Sequence, residues 1–168
     1  DIDIDPLFTV NGDQNAKDAR DTHSAFIKGN EPRLVQVFEN LIVNAVSFSP
    51  KDGHVTIAVH PSAQHDNMIE VTISDQGPGI PETKLDAIFE RFYSERPKHE
   101  TYGNHSGLGL AISKQIIEAH KATITAQNIT ADTPDNNAPP ITETDAKAAE
   151  DRRNGIHGAR FSILFPRT

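Results

Sequence analysis

Apolar residues recur along this chain with two distinct periods, and the switches between them mark its elements. Leu34, Val37, Phe38, Leu41, Ile42 and Ala45 fall at i, i+3, i+4, i+7, i+8 and i+11, the spacing of one face of an amphipathic helix. Asn30 and Pro32 stand where an N-cap and a first-turn proline belong. Alternation takes over at Val55, Ile57 and Val59 and again at Ile69, Val71 and Ile73, which predicts two strands. Asp52-Gly53 and a polar loop over 61–67 bound them. Residues 2–10 and 24–29 read as short strands, 82–88 as a helix, and 107–119 as a helix with Leu108, Ala111, Ile112, Ile116 and Ala119 on one face. Ala122, Ile124 and Ala126 predict a further strand, and Ala159, Phe161, Ile163 and Phe165 a last one before Pro166. Adjacent strand pairs exclude a regular βαβ repeat. They predict an α/β fold, a two-layer α/β sandwich in which a mixed, mostly antiparallel sheet carries its helices on one face.

Three stretches lack either period. Residues 11–22 hold no apolar side chain larger than Ala, and 93–106 are rich in His, Gly, Ser and charge. The third, about 130–156, contains Pro134, Pro139 and Pro140 with Ile141 as its one large apolar residue before Ile156. Too little surface can be buried there to offset the entropy of ordering, so a mobile surface insertion is expected. With 168 residues the chain suits a single domain, 1–168, with a sizeable core.

Charge and composition narrow the function. A formal net charge of −8 offers no basic field for a phosphate backbone, so nucleic acid is a poor partner. No apolar run approaches the ~18 residues of a membrane span, and no signal-peptide pattern opens the chain. The absence of cysteine excludes disulfides, thiolate zinc sites and cysteine nucleophiles, and fits the cytoplasm. The eight histidines show no HExxH spacing and read as solvated surface rather than a zinc site.

Three features can carry chemistry. Asn40 and Asn44 lie one turn apart at the flank of the first long helix's apolar face. There they are either solvated boundary residues or amides facing a site, where one carbonyl could complete a Mg²⁺ shell. Asp75 continues the phase of Ile69, Val71 and Ile73, which puts its carboxylate on the buried face at a strand end. It could cap the following turn, or accept from an exocyclic amine while Gly77 and Gly79 admit a flat ring. Ser106-Gly107-Leu108-Gly109-Leu110 opens a helix, where free N–H groups suit phosphate; an ordinary start capped by Ser106 is the alternative. No strand precedes it and no third glycine or Gly-Lys-Ser/Thr follows, so it is neither a Rossmann turn nor a P-loop.

The order of these features is more specific than any one of them. Asn40-Leu41-Ile42-Val43-Asn44-Ala45, Asp75-Gln76-Gly77-Pro78-Gly79-Ile80, Ile88-Phe89-Glu90-Arg91-Phe92-Tyr93 and Gly107-Leu108-Gly109-Leu110-Ala111-Ile112 resemble the N, G1, F and G2 boxes of the catalytic and ATP-binding domain of sensor histidine kinases. That domain shares its superfamily with gyrase, Hsp90 and MutL. The resemblance runs from about Gly29 to His120, with Phe161–Pro166 similar to the usual last strand.

It implies a Bergerat-type fold binding ATP and Mg²⁺. Asn44 would ligate Mg²⁺ with Asn40 beside the phosphates. Asp75 would accept from the adenine N6 amine, Gly77 and Gly79 would line the base, and Ile80 would pack on it. Phe89 would anchor a mobile ATP lid at 91–105, with Arg91 near the phosphates. Gly107, Leu108 and Gly109 would present N–H groups to them. The hydrolysing relatives carry a glutamate at the place of Asn40; an amide cannot take a proton from water, which favours phosphoryl transfer.

Ser47, Ser94 and His120-Lys121-Ala122 depart from the common basic residue, arginine and His-Gly-Gly of the family. Ser47-Phe48-Ser49-Pro50 and Arg91-Phe92-Tyr93-Ser94-Glu95-Arg96-Pro97 resemble ChvG-type envelope sensors. No histidine stands in a phosphoacceptor context, so the catalytic nucleophile is expected on a separate dimerisation domain, with a response regulator as downstream partner. The resemblance places such a domain on the cytoplasmic side of an inner-membrane sensor, without membrane contact of its own. An anti-sigma-type serine kinase of the same superfamily and a degenerate nucleotide-binding interaction module are the alternatives.

Overall fold

A computed structural model describes residues 2–4, 25–93, 107–130, 133 and 155–168. Its elements follow the two periods. Strands β1 (Ile2–Ile4) and β2 (Ala25–Ile27) pair antiparallel. Helix α1 (Glu31–Phe48) follows, then β3 (Thr56–Pro61), β4 (Met68–Ser74), α2 (Gly109–Ala119), β5 (Thr123–Thr130) and β6 (Ile156–Pro166). The main sheet has the order β3-β4-β6-β5. Each of its pairings is antiparallel, so the described sheet has no parallel member.

Both helices pack on one face, as expected. Leu34, Val37, Leu41 and Ala45 of α1 and Ile116 and Ile117 of α2 meet Ile69, Val71, Ile73, Ile124, Phe161, Ile163 and Phe165 of the sheet in one core. Each such side chain other than Ala45, fully buried, contributes roughly 1.5–3 kcal/mol of transfer free energy. The opposite face buries polar groups instead: Thr72, Ser74 and Arg160. The Arg160 Nε–H donates to Ser74 Oγ at 3.1 Å, as a buried guanidinium requires.

Helix ends follow local chemistry. Asn30 has extended backbone and its side chain accepts from the Arg33 N–H, with Pro32 in the first turn. At the other end the Ser49 hydroxyl donates to the Ala45 carbonyl at 2.8 Å, capping a helix whose last turn holds no basic residue.

Two expected boundaries are corrected. The stretch 82–88 is not one helix but two 3₁₀ turns, Glu82–Lys84 and Ala87–Phe89. Within 82–89 only Ile88 and Phe89 are buried, too small an apolar face to sustain an α-helix. The second long helix starts at Gly109 rather than 107, because Gly107 has φ +67° and cannot be helical. Leu108 occupies its N-cap position without a side-chain cap; Ser106, expected there, lies outside the described residues.

The C-terminus of α2 is a Schellman motif. Lys121 N–H donates to the Glu118 carbonyl at 3.0 Å and Ala122 N–H to that of Ile117 at 3.1 Å. Lys121 adopts φ +57° to do so, the conformation that glycine takes without steric cost. We therefore expect Lys121→Gly to stabilise the protein by about 1 kcal/mol, read as a higher thermal midpoint.

His120, expected to be solvated, is a strut between helix ends. Its Nδ1–H donates to the Ile116 carbonyl at 2.6 Å, and its Nε2 accepts the Asn30 N–H at 2.9 Å. The carbonyl can only accept and the amide can only donate, which fixes the proton on Nδ1. The end of α2 is thereby tied to the start of α1.

Candidate nucleotide site

Asp75 directly follows β4, and its backbone extends the ladder by one rung. Its N–H donates to the Ala159 carbonyl at 2.9 Å. The side chain, 6% exposed, turns to the helix side as its phase demands. Oδ1 accepts from Gly77 N–H at 2.8 Å and Ala159 N–H at 3.3 Å. The turn-capping role considered from sequence is thus real, but it occupies only Oδ1. Among the described residues Oδ2 makes no hydrogen bond, which leaves an acceptor for another group. Burial raises the Asp75 carboxyl above its ordinary 3.8, against the lowering pull of the two N–H donors.

Glycines in this loop answer tertiary approach. A Cβ on Gly77 would come within 2.8 Å of Asp75 Oδ1 and 2.9 Å of the Phe48 carbonyl, so the loop leans directly on the last turn of α1. Gly79 has φ +74°, and a Cβ there would meet the Ile156 side chain and stand 2.7 Å from Asn128 Oδ1. Ile80, half-buried, is held through its backbone: its N–H donates to Asn128 Oδ1 and its carbonyl accepts from Asn128 Nδ2, both at 2.7 Å.

A second set of contacts joins α2 to the other end of the same helix segment. Asn40 Nδ2 donates to the Gly109 carbonyl and to Ser113 Oγ, both at 3.3 Å. Ser113 is fully buried, so its hydroxyl requires this partner. Asn40 and Phe48 are two turns apart, about 12 Å along the axis, and Asn44 lies between them. Loop 75–80 therefore abuts α1 one turn after Asn44, and the start of α2 abuts it one turn before. Asn44 is half-buried and its side-chain amide makes no hydrogen bond among the described residues.

A free amide oxygen is a fitting single ligand for Mg²⁺, which takes oxygen donors and keeps waters and phosphates. No cluster of three His, Cys, Asp or Glu among the described residues could cage a metal.

Phe89 is buried, with its ring edge-on to Phe161 at 6.2 Å and Lys114 Nζ 5.6 Å from its centroid. It packs the 3₁₀ turn Ala87–Phe89 against the sheet, just before the expected lid. Phe92 N–H donates to the Gly107 carbonyl at 3.0 Å, and a Cβ on Gly107 would lie 2.7 Å from the Tyr93 carbonyl. Gly107 thus lets residues 92–93 lie against the chain just before α2. Phe92 itself has φ +66° and is 76% exposed. Arg91 is exposed and Leu108 half-buried. Residues 94–105 of the expected lid, and 131–132 and 134–154 of the expected insertion, lie outside the described residues.

Sequence reasoning missed Asn128, Gly158, Ser113 and His120. Asn128 had a signal, since it continues the phase of Ala122, Ile124 and Ala126 just as Asp75 continues that of its strand.

These motif contacts on a helix-backed antiparallel sheet define a protein class. Over residues 29–168 the chain matches Histidine kinase-, DNA gyrase B-, and HSP90-like ATPase, and it belongs to that family. It is 37% identical over 144 residues to the sensor protein ChvG of Agrobacterium fabrum and 40% identical over 144 residues to ChvG of Rhizobium meliloti. Each alignment covers 85% of this chain but 20% and 21% of the relative, so the chain spans about a fifth of the length of these proteins. The mycobacterial sensor histidine kinase MprB superposes with a TM-score of 0.62 at 26% identity, covering 84% of this chain and 74% of that one. No helix among the described residues is long and apolar enough to cross a membrane.

Proposed function

We propose that this chain is the Mg²⁺-ATP-binding catalytic domain of a two-component sensor histidine kinase. It presents the γ-phosphoryl group to a histidine on a dimerisation domain, from which a response regulator is then phosphorylated. The observation that carries this reading is the bracketing of Asn44 on α1 by the Asp75 loop on one side and the start of α2 on the other. Family membership supports ATP as the ligand, and the similarity to ChvG supports an inner-membrane sensor with this domain in the cytoplasm.

Asp75 Oδ2 accepts from the adenine N6 amine, Gly77 and Gly79 line the base, and Ile80 packs on it. Guanine, which offers a carbonyl at that position, would leave the carboxylate unpaired. Asn44 holds Mg²⁺, which when bound neutralises phosphate charge and orients the γ-phosphoryl group. Gly107, Leu108 and Gly109 face the phosphates, and Arg91 adds charge from the base of the lid. Asn40 spends its N–H groups on Gly109 and Ser113. It is a donor braced against α2 and no base for water, which supports transfer over hydrolysis. In the transfer the bond from the γ-phosphorus to the bridging oxygen of ADP breaks as the bond to a histidine nitrogen forms, so the nucleophile must come from the other domain.

Titration with a fluorescent ATP analogue tests the reading. Saturable binding strengthened about tenfold or more by Mg²⁺ is expected, with Asn44→Ala abolishing the Mg²⁺ increment and little else. Binding no tighter than that of Asp75→Asn would instead favour a degenerate interaction module. Radiolabelled ATP should leave acid-labile label on an added phosphoacceptor domain and none on this chain alone.

A further inference from the structure

Asn128 has no role in the reading above, yet its side chain makes two of the shortest hydrogen bonds in the described structure. Both go to one residue, Ile80, and together they satisfy its N–H and its carbonyl at 2.7 Å each. Ile80 lies outside every strand, so the Asn128 amide takes the place of a neighbouring strand's peptide group. The separation of 48 residues makes this a tertiary clamp rather than a turn motif.

Its anchorage coincides with that of Asp75. Asn128 stands opposite Ala159 in the β5–β6 register. Ala159 in turn grips Asp75, accepting its N–H and donating to its Oδ1. The acidic residue and the apolar residue of the loop are therefore both indexed to one cross-strand rung. The closeness of Asn128 Oδ1 to Gly79 shows how tightly the clamp draws the loop to the sheet.

We infer that Asn128 is a positioning residue for purine recognition. It fixes Ile80 relative to Asp75 and so sets the gap into which the base inserts. This rests on the nucleotide reading above and deepens it. Preorganisation of this kind acts on affinity and selectivity, because a loop freed from the clamp can satisfy its backbone with water but must be reordered by each ligand.

The test compares ATP, adenosine and inosine triphosphate binding to the parent chain, Asn128→Ala and the isosteric Asn128→Asp. The aspartate keeps the acceptor for Ile80 N–H but sets a carboxylate oxygen against the Ile80 carbonyl, and it preserves packing should the alanine variant not fold. Both variants are expected to weaken ATP and adenosine by a similar factor, about tenfold. They should also compress the preference for ATP over inosine triphosphate and accelerate hydrogen exchange at the Ile80 amide. A lowered thermal midpoint with affinity and preference unchanged would make Asn128 merely structural and overturn the inference. Parent chain and Asp75→Asn binding ATP and inosine triphosphate alike would overturn the nucleotide reading, and this inference with it. A normal response to Asp75→Asn with none to either Asn128 variant would sink the inference alone.

Discussion

Asp75→Asn is expected to move stability and binding in opposite directions. The new amide can keep its oxygen at the Oδ1 position, where Gly77 and Ala159 N–H donate. Its NH₂ then faces outward, donor against donor, where the N6 amine should sit. ATP affinity should fall by about 100-fold or more, while inosine triphosphate, with a carbonyl there, loses little. Stability should rise. Burial raises the folded-state pKa of Asp75 above 3.8, so the folded chain retains this proton over a pH range in which the unfolded chain has released it. The contribution of such a group is complete below 3.8 and is lost as pH climbs through the raised value. At neutral pH the ionised carboxylate therefore costs the unliganded protein stability, which the neutral asparagine restores. Urea midpoints measured from pH 7 downward should show the advantage of the variant shrinking toward acid and disappearing below 3.8. An equal or lower midpoint at pH 7 would contradict this account.

Gly158→Ala should be the most damaging single methyl in the described fold. A Cβ at that position collides with the Asp75 carbonyl oxygen and comes within 2.8 Å of the Asp75 carbonyl carbon. The obstacle is backbone on a ladder rung, so no rotamer change relieves it. Overpacking of a core by side-chain atoms costs about 1–3 kcal/mol; a backbone clash in the middle of a sheet should reach at least the top of that range. Equilibrium unfolding should show the loss, and whatever folded protein remains should bind nucleotide weakly because Asp75 moves with its rung. A variant with parental stability would mean that β6 does not approach Asp75 this closely.

The two cases differ in how visible they were beforehand. Asp75 is legible because alternation is a local rule: three apolar residues at even spacing dictate where the next side chain of that parity points. The same rule exposes Asn128 as a polar residue in core phase, though it names no partner. Gly158 carries no such mark, since a glycine in a strand reads the same whether its neighbour is solvent or another backbone. Ser113 and His120 were hidden for a related reason. A hydroxyl or imidazole on a helix is ordinarily solvated, and only the arrival of Asn40 or Asn30 gives it a protein hydrogen-bond partner. The false helix at 82–88 shows the reverse error, a short apolar pattern read as regular structure where only Ile88 of the stretch is buried.

Sequence alone determined the main-sheet strands and the two long helices, the side of the sheet on which each patterned residue lies, and four short motifs in an order that specifies an ATP-binding family. Those follow from periods of 2 and 3.6 and from local cap and turn chemistry, none of which needs distant residues. Only the tertiary structure decided which residues meet: Asn128 with Ile80, Gly158 with Asp75, Asn40 with Ser113, His120 with Asn30. Sequence separations of 48 to 90 residues divide the hydrogen-bonded pairs among them. Strand register and helix packing close such distances, and both are set by burial of the whole core rather than by any one segment.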